Sequence, residues 1–155
     1  MQAKFVIDLG NRTRVPIISF SATSPSLTSH PSTYFFRAAQ TDSSQVKAIG
    51  AVIKSFGWRE AVPIYIDNDY GNGVVPYLID ALQSVEARVP YRSAISHQQL
   101  MIKLEKELFK LMTMQTRVFI VHHMSGPLGS RLFAKAQKLG MMIEGYVLDH
   151  DRWVN

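Results

Sequence analysis

A chain of 155 residues with 46% apolar and 19% charged side chains can bury a core of its own, which excludes a disordered or fibrous chain. Its net charge of +5 comes from basic residues dispersed along the chain (Arg12, Arg59 and Lys110 among them) without a tight tract, so the surplus reads as solubility and no nucleic-acid partner is expected. There is no cysteine, hence no disulfide, thiolate metal site or cysteine nucleophile. The first residues lack the apolar core of a secretory signal, and no apolar run approaches the ~18 residues of a membrane-crossing helix.

Residues 1–32 show little regularity. Asn11-Arg12-Thr13 is the only glycosylation sequon, with meaning only in a secreted chain. Val15–Phe20 reads as a short strand with a proline near its start. Ser21–Ser32, rich in Ser, Thr and Pro, is a loop by composition, and Tyr34–Ala38 is a second short apolar run. From about Thr33 onward, β-type runs alternate with runs of helical period, the pattern of a parallel sheet covered by helices.

Asp42 or Ser43 can cap the next helix, whose face is Val46, Ile49, Ile53 and Phe56, and Gly57 ends it. Ala61–Ile66 is a buried-strand candidate in which Pro63, lacking an amide donor, calls for a bulge or an edge position. Asp67–Gly73 is a turn of residues that tolerate special dihedrals, leading into the stripe Val74, Val75, Leu78, Ile79 and Leu82. Ala87–Arg92 resumes an extended pattern. Leu100, Leu104, Leu108 and Leu111 mark an amphipathic helix with lysines near its wet side. Val118–Val121 is the clearest buried strand. A turn at Ser125-Gly126-Pro127 precedes the stripe Leu128, Leu132, Phe133, Ala136 and Leu139, which Gly140 ends, and Tyr146–Leu148 opens a last strand. A complete doubly wound lobe needs more strands than follow, so the architecture reads as truncated.

No phosphate loop, HExxH helix or GxSxG elbow occurs, and Gly71-Asn72-Gly73 is only half of a dinucleotide fingerprint. His122 and His123 end a strand, but adjacent strand residues point to opposite faces, so joint ligation of one metal is awkward; one buried and one exposed histidine is expected. Asp67 and Asp69 lack a third acidic neighbour and read as turn formers. Met112, Met114, Met124, Met141 and Met142 read as fillers of core gaps. No nucleophile–base constellation is assembled, so neither an enzyme nor a bound cofactor or metal is expected.

Two stretches carry a resemblance. Val15-Pro16-Ile17-Ile18-Ser19-Phe20-Ser21-Ala22-Thr23-Ser24-Pro25-Ser26-Leu27 resembles a segment of receptors of the periplasmic-binding-protein type I class. Tyr34-Phe35-Phe36-Arg37, Asp42, Phe56-Gly57-Trp58 and Asp67-Asn68-Asp69-Tyr70-Gly71 follow in the family's order. The run from Leu111 to His122 looks most like that of the plant glutamate-receptor-like channels. The resemblance implies an α/β fold of the periplasmic-binding-protein type I kind, a parallel sheet flanked by helices in an incomplete bilobed domain. Residues 1–32 would be the tail of lobe one with its cleft loop, and residues 33–155 most of lobe two.

It further implies the ligand-sensing region of a ligand-gated cation channel, binding an amino acid or small peptide in the interlobe cleft. The alternative is a domain that serves only subunit assembly. Membrane attachment, at the extracellular side of the plasma membrane, would rest on parts outside this chain, and other receptor subunits would be partners. The implied ligand residues are Ser21, Ala22 and Thr23, whose hydroxyls and amides suit a carboxylate, and Asp42, which suits an ammonium or caps its helix. Tyr70 would face the ligand or cover the cleft, and Asp151 would face an amine.

Overall fold

The structure is a computed structural model that describes residues 2–27, 32–96, 100–122 and 124–150, the side chains of 2, 100–103 and 150 excepted. It opens with α1 (Gln2–Thr13), a helix that the sequence reading did not find. Only a narrow face of α1 is covered: Ile7 and Gly10 are buried, while Phe5, Val6 and Leu9 are exposed, so most of its apolar side is left open. Then come β1 (Ile17–Ser19), a single 3-10 turn at Pro25–Leu27, and β2 (Phe35–Arg37), which pairs parallel with β1, Ile18 opposite Phe36. The division expected at 32/33 therefore runs between the two strands of one small sheet.

The larger unit follows: α2 (Ser43–Ser55), β3 (Val62–Ile66), α3 (Asp69–Ser84), β4 (Ser93–Ile95), α4 (Leu100–Met112), β5 (Val118–His122), α5 (Gly126–Lys138) and β6 (Val147–His150). Its sheet has the order β4-β3-β5-β6 with every pairing parallel. The period-2 alternation of the strands divides the core. Val62, Ile64, Ile66, Phe119 and Val121 meet Leu104, Leu108 and Leu111 of α4 and Leu128, Leu132 and Ala136 of α5. Val118 and Ile120 face the other way, onto Val46, Ile49 and Ile53 of α2 and Val74, Leu78 and Leu82 of α3. Each such side chain, fully buried, contributes about 1.5–3 kcal/mol. Met124 and Met141 fill this core as expected, whereas Met142 is exposed.

Three local expectations differ from the structure. Pro63 sits on an inner strand without a bulge. The amides of Ala61 and Asp67 donate toward β4, to Arg88 and Ile95, so every second residue of β3, Pro63 included, aims its nitrogen that way. The β4 ladder begins only at Ile64, opposite Ser93, so Pro63 falls in the gap and no ladder bond is lost. The extended run 87–92 forms one bridge, Glu60 to Arg88, and the strand itself lies further on, at Ser93–Ile95. Lastly, α3 starts at Asp69 rather than at Val74, because the Asn68 side chain accepts the Gly71 amide at 2.8 Å and caps the helix there.

Candidate functional site

The order β4-β3-β5-β6 reverses direction between β3 and β5: from β3 the chain moves out to β4 and returns past it to β5. In open α/β sheets a ligand crevice forms at the C-terminal strand ends beside such a reversal. Here those ends carry Asp67–Tyr70 after β3 and His122 at the end of β5. The segment Ser21–Leu27, which leaves the C-terminal end of β1, lies against the start of α3.

Two glycines in the first turns of α3 permit close packing there, Gly71 against the end of β3 and Gly73 against the loop. A β-carbon on Gly71 would stand 2.3 Å from the Ile66 carbonyl oxygen. One on Gly73 would stand 2.8 Å from the Ser26 hydroxyl and 3.1 Å from that of Ser24. Ser24 and Ser26 are themselves tied hydroxyl to hydroxyl at 2.9 Å, and Arg37 Nη2 donates to the Ser24 carbonyl at 3.1 Å.

Between these walls lies an open cleft of about 710 Å³. One wall is Ser21, Ala22, Thr23, Ser24, Ser26 and Leu27; the facing wall is Asp69, Tyr70, Asn72 and Gly73; α1 adds Ala3, Lys4, Phe5 and Asp8. Four of the residues implied by the resemblance, Ser21, Ala22, Thr23 and Tyr70, thus share one cleft. The Ala22 amide donates to Ser19 Oγ at 3.1 Å. The hydroxyls of Ser21 and Thr23 are not engaged by other described residues. Asp42 stands behind the wall, 5% exposed, where its carboxylate accepts the Tyr70 hydroxyl. Asp151 lies outside the described residues, as does His123.

His122 is buried, and its ring lies nearly parallel to that of Tyr70, 6.4 Å between centroids and 13° between planes. The sequence reading weighed His122 for metal or proton chemistry and missed this backing role. It also missed Lys4 and Asp8, four residues apart, because the helix that brings them together was not recognised. The cleft therefore carries hydroxyls and charges of both signs. Among the described residues no group of three or more His, Asp or Glu is placed to hold a metal ion. Asp67 instead accepts the Asn72 side-chain amide at 2.9 Å, as a turn former would.

A parallel α/β sheet with a hydroxyl-rich loop laid across its strand ends is the architecture of a solute-binding region of the periplasmic-binding-protein type I kind. In agreement, the solute-binding protein of an ABC transporter from R. palustris, solved with benzoate, superposes with a TM-score of 0.77 over 96% of this chain and 40% of that one. At 13% identity that likeness concerns the fold alone. The family model described as "Receptor family ligand binding region" matches residues 1–153, and the chain belongs to that family. Curated relatives are glutamate receptor 2.6 of Arabidopsis thaliana, 60% identical over 95% of this chain, and glutamate receptor 2.5 of the same plant, 59% identical over 95%. The chain spans 15% and 16% of their respective lengths. These relatives are receptors, not enzymes.

Proposed function

We propose that the chain is part of the ligand-sensing region of a glutamate-receptor-like, ligand-gated cation channel, and that its cleft takes an amino acid or a small peptide. The observation that carries this reading is the convergence of Ser21, Thr23 and Tyr70 on one cleft that also holds Lys4, Asp8 and Asp69. A zwitterion needs donors for its carboxylate and acceptors for its ammonium. The Ser21 and Thr23 hydroxyls with Lys4 serve the first; Asp8 and Asp69 serve the second. Tyr70 offers a ring face beside the ammonium.

In this reading the segment through β2 and the four-stranded unit are portions of two lobes that close on the ligand. Covalent chemistry has no part in it. The names of the relatives support a membrane receptor; in this reading its ligand region lies on the extracellular side of the plasma membrane and other subunits are its partners. No helix among the described residues is long and apolar enough to cross a membrane, so attachment belongs to other parts of such a receptor.

Titration calorimetry of the full chain with each common amino acid tests the reading. Saturable heat is expected with at least one of them, weakened about tenfold when Ser21 and Thr23 are both changed to Ala. A folded chain that gives no heat with any amino acid or short peptide would overturn it.

A further inference from the structure

Asp42 occupies the N-cap position of α2 yet does not cap it. Its backbone is already helical (φ −67°, ψ −3°), and its side chain bonds none of the first-turn amides. The carboxylate instead accepts the hydroxyl of Tyr70, which is 28 residues further along the chain. The Asp42 amide donates to the Thr23 carbonyl at 3.0 Å. Thr23 lies on one wall of the cleft and Tyr70 on the other, whereas Asp42, 5% exposed, lies on neither. One buried residue thus grips both walls from behind.

The chemistry fits such a grip. A carboxylate is a strong acceptor for a phenol, and Asp42 itself is buried behind the cleft wall. The bond restrains the Tyr70 ring, and the His122 ring lies nearly parallel to it. The oxygen that takes the phenol, Oδ2, is thereby committed to Tyr70 rather than to a ligand.

We propose that Asp42 is a positioning residue: it sets the Tyr70 ring and the Ser21–Thr23 loop at a fixed separation and does not itself touch the ligand. The inference rests on the reading of the cleft as a ligand site, but its geometry can be tested without a ligand. Asn at position 42 keeps an oxygen acceptor of the same shape without the charge; Ala keeps neither.

In the full chain, the ring-proton shifts of His122, measured by NMR, report the position of the Tyr70 ring. The Asp42→Asn variant is expected to leave these shifts near their original values and Asp42→Ala to move them, both in chains shown to be folded by circular dichroism. With an equimolar mixture of the twenty amino acids as the probe, calorimetry is expected to give Asp42→Asn an affinity within about threefold of the original. Asp42→Ala and Tyr70→Phe should each weaken binding about tenfold, with no further loss when combined, since both break one bond.

Two results would overturn the inference: Asp42→Asn as damaging to binding as Asp42→Ala and additive with Tyr70→Phe, or His122 shifts that ignore Asp42→Ala. Shifts that follow the expected pattern while no amino acid binds would uphold the geometry and reject the ligand reading instead.

Discussion

Residues 71 and 73 are glycine for reasons outside the helix they start: Gly71 packs on the end of β3, Gly73 on the loop across the cleft. A methyl group on Gly73 would press on the Ser24 and Ser26 hydroxyls, whose side chains can turn aside, while one on Gly71 would meet the carbonyl of Ile66, which cannot. Gly71→Ala is therefore expected to destabilise by about 1–3 kcal/mol or more, and Gly73→Ala by less. Thermal unfolding of the two variants, followed by circular dichroism, checks the order. Equal stability of both would show that the start of α3 tolerates the added carbon. Gly73→Ala is the more informative for function, because its neighbours belong to the facing wall of the cleft.

Among the elements, α4 and α5 cover one face of the sheet and are joined at their surface by Lys135, whose ammonium donates to Glu105 at 2.7 Å. That hydrogen bond, with the charge of Lys135 behind it, holds the Glu105 carboxyl below its ordinary value of 4.5. A carboxyl lowered in the folded state adds stability that is complete above its unfolded value and is lost as pH falls through the folded one. Both groups are well exposed, so the contribution is small and screened by salt. Urea unfolding at pH 7 and pH 3 is expected to show Lys135→Met slightly less stable than the unsubstituted chain at pH 7, with a smaller difference at pH 3. A difference that does not shrink at pH 3 would place the effect in packing. On the same helix α4, Glu107 accepts from the Tyr91 hydroxyl at 2.7 Å and from Ser93 at 3.0 Å, which ties α4 to the start of β4. Lys110 lies 3.8 Å from the centre of the Tyr91 ring.

Over the whole molecule, the larger sheet is covered on both faces and the smaller one is not. Ile18 and Phe36, paired across β1 and β2, are 69% and 55% exposed, and Phe20 is 83% exposed. Apolar surface of this kind binds the dye ANS. The chain is expected to raise ANS fluorescence at neutral pH while folded, and Ile18→Thr with Phe36→Ser to reduce the signal without lowering the melting temperature. A dye signal unchanged by the pair would locate the apolar surface elsewhere, for instance around exposed Phe56 and Phe109. Truncating Phe119, fully buried at the centre of the larger sheet, carries the opposite expectation of a stability loss without new dye binding.

What could be read from the sequence was whatever repeats along it. Leu100, Leu104, Leu108 and Leu111 announced α4, and Val118–Val121 announced β5, because burial on one face imposes a period on the chain. The ordered motifs from Val15 to Tyr70 led to the family and to Ser21, Ala22, Thr23 and Tyr70 as neighbours in space. Helix α1 also keeps its apolar residues to one broad side and was legible in principle, though most of that side is uncovered. Other features had no period to betray them. Pro63 looked unsuited to an inner strand until the gap in the β4 ladder was visible. Asp42 read as a cap or as a ligand contact from its neighbours in sequence, and its bond to Tyr70 depends on which strand ends the fold brings together. Periodicity follows from local geometry and survives in the sequence; a contact between residues 28 apart is decided only when the chain packs.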